Sequence, residues 1–335
     1  MRVHLRLMFR LKGEMAMLTT GRTIHVHRDR WHLAWDNSIP PVATVGSGDV
    51  VEFDLLDAAG GQIGPDATVR AIETLDFGRV DQVNGPIFVE GAHPGDTLQV
   101  EFLDLQPAQW GWTALIPGFG LLADEFPDPA LKIWRLAGGW AEFASGIRIP
   151  LEPFCGEIGL APGAPGALST IPPYRHGGNM DTKHLTRGAT LYLPVEAEGA
   201  LFSLGDGHAA QGDGEVCGTA IETPMRATVR LTVRKDLLVR QPQFMTGGPL
   251  TPRTNTAPYY ATDGIAPDLL EAARHAVRHM IEHLERAYGL ARVDAYMLCS
   301  VAVDLKICEI VDAPNWLVGA FLPMSLFDEV VSRES

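Results

Sequence analysis

Cysteine is scarce in this chain. Its 335 residues include four, Cys155, Cys217, Cys299 and Cys308, and no two form a C-x-x-C pair. That spacing excludes a disulfide framework and predicts reduced, buried thiols in a cytoplasmic protein. Long apolar runs are missing as well. The N-terminal MRVHLRLMFRLKGEMAM is broken by charges before a signal-peptide core or a spanning helix could form. Residues 1–20 are therefore expected to be a poorly ordered extension. Positive charge is in deficit: 27 Lys and Arg oppose 41 Asp and Glu, a net charge of −14. That sign excludes nucleic acid and anionic membrane as partners. The chain has no G-x-S-x-G elbow, no Walker loop and no dinucleotide G-x-G-x-x-G after a strand.

What is present is glycine and proline, 35 and 24 residues, which predicts many turns between short strands. Apolar and polar residues alternate at 23–27, 50–55, 97–105 and 227–234. The turns Gly48-Asp49 and Pro94-Gly95-Asp96 each lead into such a segment. Residues 60–85 have low periodicity and are expected to form a long loop or cap. From Pro267 onward Leu269, Leu270, Ala273, Val277, Met280, Ile281, Leu284 and Tyr288 keep helical spacing. Pro267 suits the first helical position and Gly289 the stop. A shorter helix over 294–303 and a strand over 305–311 follow. The fold expected is mainly β, sandwich- or barrel-like, with a C-terminal helical part, α+β overall. A β-rich half at 21–150 and another at 151–335, carrying the helix 267–289, form one compact unit.

The chemistry concentrates in 176–222. One cluster there is Gly177-Gly178-Asn179-Met180-Asp181-Thr182-Lys183-His184, and the other is Gly205-Asp206-Gly207-His208-Ala209-Ala210-Gln211-Gly212-Asp213-Gly214-Glu215. A strand at 189–195 and a return at 201–204 separate them. His208 is a candidate metal ligand or base, Glu215 a general acid/base, Asp181 a cation ligand and Asn179 a hydrogen-bonding partner of a carbonyl. Tight turns alone account for Asp206 and Asp213. An EF-hand register starting at Asp206 fails, because Ala210 and Gln211 fall where a ligand and a glycine are required.

Two further patterns compete. His279-Met280-Ile281-Glu282-His283 has the H-x-x-E-H spacing, but it sits among Arg274, Arg278, Glu285 and Arg286 on a face expected to be solvated. Cys217 is a conceivable nucleophile beside Lys183 and Glu215, yet 216–220 reads as the start of a buried strand.

The runs PFCGEIGLAP, STIPPYRHGGNMDTKHL, GATLYLPV and GALFSLGDGHAAQGDGEVCGTAIE, with WDNSIPPV and GPIFVEGAHPGDTL upstream, strongly resemble the acetamidase/formamidase family. The resemblance covers about residues 20–330. It implies a β-rich sandwich-like fold, a homo-oligomer, and hydrolysis of short-chain linear amides to carboxylate and ammonia. It also implies a divalent metal, zinc with calcium as the alternative. Asn37, Asp181 and His208 then stand as metal ligands and Glu215 as the base. Asn179 would orient the amide, and Glu222 and Glu90 rank lower. His93 and the run 81–84 depart from the family pattern. A Cys217-dependent or lactam hydrolase and a non-catalytic, metal-stabilised binding module are the competing readings.

Overall fold

Val51, Phe53 and Leu55 are fully buried and the residues between them half-buried, the period-two mark of a strand with one face on a core. This strand belongs to a six-stranded sheet in the order Thr23–Val26, Val50–Leu55, Met225–Arg234, Thr97–Pro107, Thr190–Pro194, Gln243–Met245. A second sheet runs Pro173–Tyr174, Gly177–Asn179, Phe154–Gly159, Phe202–His208, Val83–Val89, Trp31–His32, and Ala43–Val45 pairs in parallel with Val83–Val89. The two sheets share one apolar core, where Phe53 of the first meets Phe202 of the second edge to face at 6.0 Å. The arrangement is a sandwich and neither sheet closes into a barrel. Both sheets combine strands from 21–150 and 151–335. The structure, a computed structural model, describes residues 21–311 and 313–327, so the extension expected at 1–20 lies outside the described residues.

A second core joins the strands Ala130–Ala137, Trp140–Ala144 and Ile147–Pro150 to two helices and a three-stranded C-terminal sheet. The long helix is Leu269–Tyr288. Asp268 caps it, its side chain accepting from the Glu271 amide, so Pro267 lies just before the cap rather than at the first helical position. Gly289 ends it in the left-handed region at φ 66°, as the sequence predicts. The shorter helix is Arg292–Ala302 and the late strand Asp304–Glu309. The H-x-x-E-H residues form no ligand set. His279 Nδ1 lies 2.9 Å from the Asp263 carbonyl, and His283 stacks on Tyr260 at 3.5 Å. None of the helices is long and apolar enough to cross a membrane among the described residues.

One buried imidazole makes folding stability pH-dependent. His32 is wedged between the Ala34 carbonyl and Ser203 Oγ, each 2.8 Å from a ring nitrogen. Burial drives its pKa down to about 4 from 6.5. A depressed histidine pKa means the unfolded chain binds the proton first, so this stability is complete above pH 6.5 and drains away as the pH falls toward 4. We expect the stability gap between wild type and His32→Gln to narrow by about 2 to 3 kcal/mol from pH 7.5 to 4.5. Urea denaturation at both pH values measures it, and an unchanged gap would refute the assignment.

Candidate active site

The glycines of Gly205-Asp206-Gly207-His208 do not make turns. They continue the strand Phe202–His208 because neighbouring backbone presses on both: a Cβ at Gly205 would lie 2.5 Å from the Gln82 carbonyl oxygen, and one at Gly207 2.6 Å from that of Thr223. The two polar side chains share one side, with His208 Nε2 2.9 Å from Asp206 Oδ1. His208 is thus a strand-end residue rather than a loop residue. The segment 216–220, expected to open a strand, is instead a series of turns closed by the Gly218 amide donating to Glu215. Glu215 at φ 42° and Gly218 at φ 88° reverse the chain there.

His208 is the hub. Its Nε2 also stands 3.1 Å from Glu222 Oε2 and 3.9 Å from Glu215 Oε1, and its Nδ1 stands 3.9 Å from Asp181 Oδ1. The strands Phe154–Gly159 and Phe202–His208 run antiparallel with Cys155 opposite Gly207, which places Gly156 below the cluster. A Cβ at Gly156 would meet Asp206 Oδ2 at 2.1 Å and Asp181 Oδ1 at 2.5 Å. Glu222 is held by a two-way backbone bridge to Trp112, and its Oε1 accepts from the Ala220 amide at 2.7 Å.

Gln211 orients the imidazole. Its Nε2 donates to the Asp181 carbonyl at 3.0 Å, which leaves Oε1 facing His208 Nδ1 at 2.9 Å. An oxygen there accepts, so Nδ1 carries the hydrogen and Nε2 turns to the carboxylates.

The electrostatics follow from crowding. Burial alone would neutralise His208, but Asp206 and Glu222 outweigh it and hold its pKa well above the ordinary value. Burial, opposed by His208 and reinforced by Asp206, lifts Glu222 to about 8 and Asp181 to about 6. Burial and the Asp181 charge lift Glu215 well above the carboxylate range. Burial, with Asp206 next, raises Asp81 to about 7. Glu157 is wholly buried and likewise raised, and neither of its oxygens has a hydrogen-bond partner. Four of these acids, Asp81, Asp181, Asp206 and Glu215, sit at positive φ between 42° and 55°. Such backbone costs about 1–3 kcal/mol per residue and persists where surrounding structure enforces it, typically at functional sites.

The cluster floors a cavity of about 250 Å³ whose walls come from elsewhere in the chain. Of the cap predicted over 60–85, which contains the helix Arg70–Glu73 and the turn Phe77–Arg79, the residues Leu75, Phe77, Val80 and Asp81 line the cavity, whereas 83–85 instead begin the strand Val83–Val89. Of the predicted residues, Asn179, His208, Glu215 and Glu222 line the cavity and Asp181 joins beneath. Asn37 is not brought in. Its amide donates to the carbonyls of Pro162 and Gly163, beyond the end of Phe154–Gly159 remote from His208. Glu90 is exposed, and His93 pairs with Glu198 on the surface. Cys217 is fully buried, with Sγ 3.6 Å from the Ala114 carbonyl, and burial pushes its thiol up. Lys183 pairs with Asp304 and with Asp213 at 3.5 Å, so no Glu-Lys-Cys trio forms. Asp81, Glu157 and Asp206 were not anticipated. Glu157 lay inside the PFCGEIGLAP run, and Asp81 in the run set aside as a departure.

Carboxyl groups packed this densely about one imidazole on the floor of a cavity are the kind of groups that general acid–base catalysis uses. Residues 18–165 and 163–329 match the model of the acetamidase/formamidase family. A formamidase from Methylophilus methylotrophus is 29% identical over 369 residues, covering 89% of each chain. Among solved structures, a gamma lactamase from Delftia acidovorans superposes with a TM-score of 0.83 at 27% identity over 90% of both chains. An acetamidase from Bacillus halodurans superposes with a TM-score of 0.65 at 33% identity, over 89% of this chain and 97% of the other. The chain belongs to the acetamidase/formamidase family and is an amide C–N hydrolase.

Proposed function

We propose that this site hydrolyses short-chain linear amides to carboxylate and ammonia, with a divalent cation, zinc or alternatively calcium, held by the His208 cluster. One observation carries the reading. Glu215 and the unpartnered Oδ1 of Asn179 open onto the same cavity, over five further carboxyl groups, Asp81, Glu157, Asp181, Asp206 and Glu222, gathered about a single imidazole. The donor atoms suit a cation beside Nε2 of His208: Asp206 Oδ1, Glu222 Oε2 and Glu215 Oε1 lie 2.9, 3.1 and 3.9 Å from that nitrogen, and Asp181 Oδ1 lies 3.9 Å from Nδ1. Ligands bound at about 2.1 Å in a tetrahedron stand about 3.3 Å apart. Asp181 Oδ1 has no hydrogen-bond partner, and Glu222 Oε2 has only the approach of His208 Nε2 at 3.1 Å. Asp181, Asp206 and His208, whose ligand atoms lie within 4.8 Å of one another, would hold the ion, with Glu222 beside them. When bound, it supplies polarisation of the amide carbonyl and a more acidic water.

The chain's own groups do the rest. Asn179 Oδ1 accepts from the substrate N–H and orients the leaving nitrogen. Glu215 takes the proton from water and returns it to that nitrogen, a role suited to a carboxyl whose pKa burial has raised. Its side chain keeps contact with the cavity, so the proton has a route. Gln211 fixes His208 so that Nε2 faces the acids. We further place the enzyme in the cytoplasm, on its free thiols, and as a homo-oligomer, on exposed apolar residues such as Leu238, Met245 and Val311. Ammonia release from formamide and acetamide, measured before and after chelation and after adding back zinc or calcium, tests the proposal. Release that is lost with chelator and restored by one ion is expected. No release with either ion supplied would sink it.

A further inference from the structure

The cavity is larger than formamide or acetamide requires. Its 250 Å³ equals about eight water volumes, whereas acetamide has four non-hydrogen atoms. Its polar groups gather on the floor, and its walls are Leu75, Phe77, Trp112, Ile116, Phe119 and Ile171. Three of these are unusually exposed for large apolar residues: Phe77 at 61%, Phe119 at 50% and Ile171 at 45%. Exposed apolar residues gathered at the mouth of a cleft mark a surface that something covers.

Two of these walls are fixed in place. The Phe119 amide donates to Ile116 at 3.0 Å, and its ring rests on Gly218, where a Cβ would come within 2.5 Å of Cδ1. Trp112 is buried, donates from Nε1 to Asp57 at 3.1 Å, and is bridged by its backbone to Glu222. The backbone of an apolar wall residue is thus bonded directly to the backbone of Glu222 on the floor. A substrate whose amide lies at Asn179 and Glu215 must send its acyl chain along this wall.

We infer that the site is built for amides with an apolar acyl chain of about four to six carbons, and that Phe77, Trp112 and Phe119 form the acyl pocket. This rests on the amidohydrolase reading of the same floor. Each buried methylene strengthens binding about fourfold, and a preformed wall of this kind transmits the gain to the transition state.

The test uses the full-length, zinc-supplemented protein with formamide, acetamide, butyramide and hexanamide. Wild-type kcat/KM is measured by ammonia release, and Kd by titration calorimetry on Glu215→Gln, where turnover does not interfere. We expect Kd to fall about fourfold per methylene beyond acetamide, with kcat/KM rising in step. Phe119→Asp and Phe77→Asp, both at half-exposed positions, should each cut the hexanamide-to-acetamide ratio at least tenfold. A Kd that is flat or rises with chain length overturns the acyl pocket. A falling Kd without ammonia release from any amide keeps the pocket and retires the hydrolytic reading instead.

Discussion

Gly156→Ala should lower kcat/KM by at least about 100-fold while leaving the fold intact. The added methyl strikes two carboxylates, Asp206 Oδ2 at 2.1 Å and Asp181 Oδ1 at 2.5 Å. Backbone is not what it meets, and Gly156 is not at positive φ. The side chains can rotate aside toward the cavity, so the strand survives, but the hub atoms move by an ångström or more. Misplacement on that scale costs on the order of 100-fold in rate. Gly159→Ala, three residues along the same strand, offers the contrast. Its methyl would meet the Gly178 nitrogen at 2.8 Å and the Trp35 ring at 2.9 Å, which lie in the sandwich rather than in the site. That variant should melt lower. Melting curves and kcat/KM for both decide the matter, and a Gly156→Ala enzyme within tenfold of wild type would remove the geometric argument.

Glu215→Gln should lower kcat for acetamide by about 100- to 10,000-fold with KM little changed, the range expected when a general acid/base is lost. Glutamine keeps the size and hydrogen-bonding reach of the side chain but cannot take a proton from water. The substitution also removes a buried carboxyl from a crowd of carboxyls, so stability should hold or rise. Loss of rate without loss of stability separates a chemical role from a structural one. Near-wild-type ammonia release by this variant would end the case for Glu215 as the base.

Much of this was legible in the sequence, and the failures have specific physical causes. The long helix was readable because its spacing, Gly289 stop and apolar stripe agree with one another. Its start was placed at Pro267 because Asp268 had not been weighed as a cap. The cluster at 205–215 is legible, but its glycines suggest turns, whereas His208 ends a strand. Here glycine answers a different need, the approach of backbone at Gln82 and Thr223, and only tertiary packing reveals that. The same misreading assigned Asp206 to a turn although it is the shortest contact of His208 Nε2. Glu157 was invisible because a single acid within an apolar strand offers no local pattern. Asn37 attracted attention through its motif, yet its amide ties down the segment at 162–164.

The cavity is assembled from two widely separated parts of the chain. The groups on its floor lie within 156–222, apart from Asp81, whereas all but one of the six named wall residues lie within 75–119. On the roles proposed above, catalysis and selectivity are inherited largely on different stretches of gene. Substitutions in the upstream stretch that spare Asp81 and the Trp112 backbone bridge to Glu222 would then retune which amide is admitted. A lineage carrying this scaffold can change its diet without relearning its chemistry.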